Sequence, residues 1–165
     1  MSGIAILLTT CNSGKYLRPQ LDSLFAQTMR DFEIHVHDDG SKDDTLQILA
    51  EYQEKHPELI LREDPQPGRL AKGSFTWLLE NTQADYYMFC DHDDVWLDDK
   101  IEKTHSKMRA CEEAQPGKAV VINTDLKVVD EQLNEIHPSF WAYNKIKPDL
   151  LKSFEYLTVC NAFTG

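Results

Sequence analysis

Asp91, Asp93 and Asp94 follow directly on the apolar, aromatic run Tyr86-Tyr87-Met88-Phe89-Cys90. Carboxylates that close repel one another unless a positive charge joins them. A hard divalent cation carrying phosphate oxygens is the usual partner for such an Asp-x-Asp pair. The run ahead of them has the length and composition of a strand. In an open α/β sheet, ligands bind outside the carboxyl ends of the strands, so acids placed there meet a ligand. Acids in such a run can equally cap the next helix or simply be solvated. The preceding strand and the following Val95-Trp96 favour chemistry.

A second candidate is His37-Asp38-Asp39-Gly40-Ser41. It reads as a strand end whose carboxylate could accept a hydrogen bond from a nucleobase N–H or a ribose hydroxyl. It reads equally as a strand-to-helix turn, with glycine for backbone freedom and Ser41 opening a capping box completed by Asp44. Arg69 and Lys72 follow a proline and glycine loop. In an acidic chain they are candidates to pair with a diphosphate, where a cation offsets charge on a leaving group. His35 and His37 share one strand face and His92 lies inside the acid cluster, but no zinc-ligand spacing accompanies them. The sequence has no Gly-x-Ser-x-Gly, Walker loop or Gly-x-Gly-x-x-Gly, which removes the main support for hydrolase-triad, P-loop and dinucleotide-dehydrogenase readings.

The elements that must position these residues alternate. Ile4 to Thr10 is a nearly continuous apolar run of the kind buried in a parallel sheet. Leu17, Leu21, Leu24 and Phe25 recur at helical spacing, with Pro19 expected in a tolerant first turn. Phe32 to His37 is a second strand, and Thr45, Ile48, Leu49 and Tyr52 form a helical stripe that fades before Pro57. Leu59 to Arg62 is a third strand, 64–68 is a loop on turn chemistry, and Phe75, Leu78 and Leu79 mark a third helix ahead of Tyr86 to Cys90. This alternation predicts an α/β fold, a mostly parallel sheet with helices on both faces. Its carboxyl edge collects Thr9, Thr10, Asn12, Asp38, Asp39 and the Asp91 cluster. Beyond it, Asp98 and Asp99 suit a helix N-terminus. Ile101, Thr104, His105 and Met108 continue one helical face. Ala119 to Asn123 and Leu126 to Val129 read as strands, 134–148 as an irregular excursion, and Asp149 to Tyr156 as a short helix.

The apolar fraction of 41% is enough for a core, and 165 residues suit one domain. The formal charge of -11 repels a phosphate backbone and disfavours nucleic acid as a partner. Any phosphorylated ligand must therefore be held locally. Cys11, Cys90, Cys111 and Cys160 have neither zinc spacing nor disulfide-scaffold density, which makes a cytoplasmic setting the default. No stretch reaches the roughly 18 apolar residues of a membrane span.

Together these pieces resemble the family 2 glycosyltransferases of the GT-A fold, most closely their rhamnosyltransferase-like branch. The motifs are Thr9-Thr10-Cys11-Asn12, where the family commonly has tyrosine in place of Cys11; His37-Asp38-Asp39-Gly40-Ser41; and Asp91-His92-Asp93-Asp94-Val95-Trp96. They span about residue 4 to 100 in the family's order. The resemblance implies an inverting transfer of a sugar from a nucleotide diphosphate donor, dTDP-rhamnose or a UDP-sugar, to a glycan or lipid-linked hydroxyl in surface polysaccharide synthesis. The cofactor would be Mg²⁺ or Mn²⁺. By the same resemblance, Thr9, Thr10 and Cys11 with Asp38 or Asp39 hold the base, Asp91 faces ribose or metal, and Asp93 coordinates metal. Residues 1–100 would be a donor-binding half and 101–165 the start of an acceptor half. The catalytic base would lie beyond Gly165 in a longer protein that associates peripherally with the inner face of a membrane. A Mg²⁺-dependent nucleotidyltransferase and a non-catalytic nucleotide-sugar-binding module are the alternatives.

Overall fold

The computed structural model describes residues 3–66, 68–147 and 149. Of these, the residues up to Lys103 fall in one compact unit and those from Thr104 onward in a second.

In the first unit, β1 (Ile4–Thr10), β2 (Glu33–Asp38), β3 (Leu59–Leu61) and β4 (Tyr86–Cys90) pair in parallel in the order β3-β2-β1-β4. β1 is central and all seven of its residues are buried, which explains its lack of polar alternation. Side chains alternate across a strand. Ile4, Ile6 and Leu8 therefore share one cluster with Leu17, Leu21 and Leu24 of α1 (Gly14–Phe25) and with Ile48 and Leu49 of α2 (Thr45–Gln53). Ala5 and Leu7 turn the other way, towards Leu78, Phe75 and Trp77 of α3 (Leu70–Asn81). The chain thus runs outward from β1 to β3 with helices on one face. It then returns past β2 and β1 to β4 with α3 on the other, as right-handed crossovers require. Strand order reverses between β1 and β4, the position at which open α/β sheets bind ligands.

Two local expectations are corrected. α1 begins at Gly14, so Pro19 lies inside the helix rather than in its first turn and forgoes one backbone hydrogen bond. Ser41 does not cap α2. Its hydroxyl donates to Asp38 Oδ1 at 2.5 Å while its oxygen accepts from Asn12 N–H, and α2 starts only behind Asp44, without a side-chain cap.

α4 (Lys100–Ala114) leads into the second unit. There β5 (Val128–Val129) pairs antiparallel with β6 (Glu135–His137), and Asp130 accepts from the backbone N–H of Gln132 and Asn134 in the turn between them. Ser139 caps α5 (Phe140–Tyr143) by accepting from Ala142 N–H. The expected strand at Ala119 to Asn123 is no regular element, and of Leu126 to Val129 only the last two residues form a strand. The stretch 134–148 contains β6 and α5 rather than being wholly irregular. Apart from Asp149, the expected helix at Asp149 to Tyr156 lies outside the described residues. Among the described residues no helix is long and apolar enough to cross a membrane.

Candidate functional site

Thr10 of β1 is in register with Asp38 of β2, and the carboxyl ends of both strands are laced together. Asp38 accepts from Thr10 Oγ1 at 2.8 Å and from Ser41 Oγ through Oδ1. Through Oδ2 it accepts from Gly40 N–H at 3.1 Å and Ser41 N–H at 2.9 Å. Gly40 reaches this position at φ 89°, a conformation that glycine adopts without strain. Four donors fill the four acceptor sites of a carboxylate.

Asp39 faces a different task. Its N–H donates to Thr10 O at 2.8 Å, while its carboxylate takes the backbone N–H groups at the start of α3. Gly68 and Arg69 donate to Oδ1 at 2.7 Å, and Leu70 donates to Oδ2 at 2.8 Å. Burial alone would raise its pKa, but these three donors hold it below the usual carboxylate range. One acceptor site is left over. Leu70 is held at φ 60° with 77% of its surface exposed, a left-handed conformation that costs about 1–2 kcal/mol.

The N-terminus of α1 is spoken for as well. Cys11 N–H donates to Ser13 Oγ at 3.1 Å, Asn12 N–H to Ser41 Oγ at 2.8 Å, Ser13 N–H to Thr45 Oγ1 at 2.8 Å and Gly14 N–H to Asp43 Oδ2 at 3.0 Å. Helix N-termini ordinarily make ready anion sites. At this edge, the residues leading into α1 and α3 turn several of those donors towards the chain's own oxygens, which leaves side-chain cations or a bound metal the larger share in meeting an anionic ligand.

The acid cluster follows β4. Asp93 is exposed, while Asp91 and Asp94 are half-buried. Asp94 Oδ2 is buried with no hydrogen-bond partner, an expensive arrangement for a carboxylate. Burial, with the negative charges of Asp91 and Asp93, pushes the Asp94 carboxyl up to about 6. Lys100 lies behind the cluster with Nζ 4.2 Å from the Trp96 ring centroid. Burial pulls its pKa down, while Asp94 and Asp91 favour its charge. The segment is fastened to α1 beyond the acids. Trp96 N–H donates to Ser23 Oγ at 3.0 Å, Gln27 Nε2 to Leu97 O at 2.7 Å, Thr28 N–H to Asp98 O at 2.7 Å and Ile101 N–H to Gln27 Oε1 at 3.1 Å.

Among the described residues no three His, Cys, Asp or Glu side chains converge as a ready-made metal site. The donor set is nonetheless all hard oxygen, and the orphaned Asp94 oxygen marks a place for a cation. That combination fits Mg²⁺ or Mn²⁺ held by one or two carboxylates and completed by phosphate oxygens, rather than caged by protein alone.

The remaining sequence candidates are placed differently. Thr9 and Thr10 are buried, Cys11 is exposed, and Lys72 is exposed on α3. Arg69 is engaged by Asp64, a residue that motif reasoning passes over as part of a turn. His35 and His37 do share a face, but it is the buried one beneath α3, and His37 packs against Trp77 with ring centroids 5.1 Å apart. Asp94 belongs to the acid cluster named from the sequence, though nothing there foretells its orphaned oxygen, and Lys100 has no sequence signal. A Lys six residues after the last aspartate of the cluster is visible only once the loop has folded back.

Residues 5–160 match the family described as Glycosyl transferase family 2. The chain belongs to that family. Among family relatives, an uncharacterized glycosyltransferase of Rickettsia prowazekii is 27% identical over 156 residues, covering 94% of this chain and 44% of the relative. The dTDP-rhamnosyl transferase RfbG of Shigella flexneri is 35% identical over 101 residues, 58% of this chain and 34% of that protein. The chain thus spans less than half the length of these relatives. The GT-A fold is shared with S. aureus TarS 1-349 in complex with UDP, at a TM-score of 0.57 and 24% identity, over 92% of this chain and 52% of that one. The mannosyltransferase PcManGT from Pyrobaculum calidifontis, in complex with GDP-Man and Mn²⁺, has a TM-score of 0.51 at 22% identity, over 57% of this chain and 28% of that one.

Proposed function

We propose that this chain binds the nucleoside diphosphate part of a nucleotide-sugar donor and that the enzyme it belongs to transfers the sugar, with inversion, to a glycan or lipid-linked hydroxyl. One observation carries this reading. At the edge where strand order reverses, the helix N-terminal donors are consumed by Asp39, Asp43, Ser41 and Thr45, while the orphaned Asp94 oxygen lies beside the exposed Asp93. A cation is then the group best placed to hold a diphosphate.

Asp93 is the favoured metal ligand, with Asp94 or Asp91 as its neighbour. A bound Mg²⁺ or Mn²⁺ would supply charge stabilisation for the departing diphosphate. Asp39, with one acceptor site left, receives the base N–H. Asp38, fully occupied, shapes the turn beside it, and the Thr9 to Cys11 backbone forms the floor. Arg69 and Lys72 add N–H donors on the α3 side. Solved relatives carry UDP, or GDP-Man with Mn²⁺, and RfbG is named for a dTDP-rhamnose donor; all three support the donor class. Action in surface polysaccharide synthesis at a membrane face belongs to the same proposal.

Titration calorimetry with UDP, dTDP and GDP, in Mn²⁺ and in excess chelator, tests it. Binding of at least one diphosphate is expected in metal, with loss in chelator and in Asp93→Ala. Failure of all three to bind in Mn²⁺ would overturn the proposal.

A further inference from the structure

Asp64, His37 and Trp77 play no part in the donor site as drawn above, yet they form its best-buried polar cluster. The Asp64 side chain is 2% exposed and that of His37 is fully buried. Asp64 Oδ2 meets His37 Nε2 at 3.0 Å and also accepts from Arg69 Nε. Oδ1 accepts from Gln66 N–H at 2.9 Å and Arg69 Nη2 at 3.1 Å. All four acceptor sites of this carboxylate are therefore filled, two of them by one guanidinium in a fork. His37 Nδ1 is buried without a partner, and its Nε2 is the ring atom that faces Asp64. The Arg69 side chain remains 31% exposed, so part of its guanidinium is open to solvent. Its backbone N–H is held by Asp39 at the same time.

We propose that Asp64, braced from the interior by His37, is a positioning residue that sets the Arg69 guanidinium at the angle needed to receive a phosphate of the donor. The inference rests on the donor-site reading. An arginine carries about 2 kcal/mol of rotamer entropy, and the fork removes that cost before ligand arrives. The fork also neutralises the charge of Arg69, so what Arg69 offers a phosphate is oriented N–H donors rather than net attraction.

This gives the test a sign. Asp64→Asn raises the local net charge by one and breaks the fork. If Arg69 acted through charge alone, or if Asp64 merely kept it from the ligand, diphosphates would bind more tightly. If orientation governs, they bind more weakly. UDP, dTDP and GDP are titrated in Mn²⁺ against wild type, Asp64→Asn, Arg69→Lys, Arg69→Ala and the Asp64→Asn/Arg69→Ala double variant. The expected result is about tenfold weaker diphosphate binding by Asp64→Asn, a similar loss in Arg69→Lys, which keeps charge but cannot form the fork, and no further loss when Asp64→Asn is added to Arg69→Ala. A purely structural role would persist in that double variant. Tighter binding by Asp64→Asn, or wild-type binding by Arg69→Lys, would overturn the inference and leave the donor site standing. Absence of diphosphate binding by wild type would overturn the donor site itself, and the inference with it.

Discussion

Adjacent aspartates at the end of β2 show how far residue identity goes and where it stops. Asp38 and Asp39 are indistinguishable as letters, yet one organises a turn and the other caps α3. Asp39→Ala should cost about 1–2 kcal/mol, because three backbone donors at the start of α3 lose their acceptor; urea unfolding measures it. His35 supplies a pH dependence. Burial lowers its pKa from 6.5, against the opposing help of Glu33. The unfolded chain therefore takes up a proton that the native state resists. Stability is level above about pH 6.5 and falls as pH drops below it. Urea midpoints between pH 5 and 7.5 should show that decline, and it should flatten in His35→Asn. Motif reasoning locates the carboxylates at the edge because acids at strand ends stand out. It misses Asp64 and Lys100, because Asp64 shows its place only when its loop folds onto His37 of β2, and Lys100 only when it turns back over Trp96.

At the scale of elements, the four strands and their connecting helices were legible because each buries a periodic apolar face. β1 is apolar from Ile4 to Leu8, and α1 shows its stripe at Leu17, Leu21 and Leu24. The second unit was not, since strands of two and three residues have no period to read. They are held instead by side-chain bonds from Asp130 and by the capping of Ser139, which depend on who lies nearby. Even in the first unit, contacts between loops escape a pattern. A Cβ on Gly14 would lie 1.8 Å from Asp44 Oδ1, because the α2 entry loop presses on the start of α1. The clash falls on the ends of the exposed Asp43 and Asp44 side chains, which can turn aside, so Gly14→Ala should lower stability by no more than about 1 kcal/mol. A thermal melt measures it, and a larger loss would mean that these carboxylates are held fast.

For the molecule as a whole, the order β3-β2-β1-β4 brings chemistry from distant parts of the chain to one edge. The alternation of strand and helix implied that edge, but which strands are neighbours there follows from crossover handedness rather than from any residue. The net charge of -11 has its counterpart at this edge, where Asp43 and Asp39 take backbone donors at the starts of α1 and α3.

The segment from Asp91 to Asp98 is an arch fixed at both feet, by β4 pairing to β1 on one side and by Ser23, Gln27 and Thr28 on the other. Outside its carboxylates, such a span should tolerate a change of residue better than a change in the number of residues between its feet. One glycine inserted between Asp94 and Val95 should abolish diphosphate binding. The same insertion after Pro116 should leave it within about twofold, and side-by-side titration of the two variants decides the point.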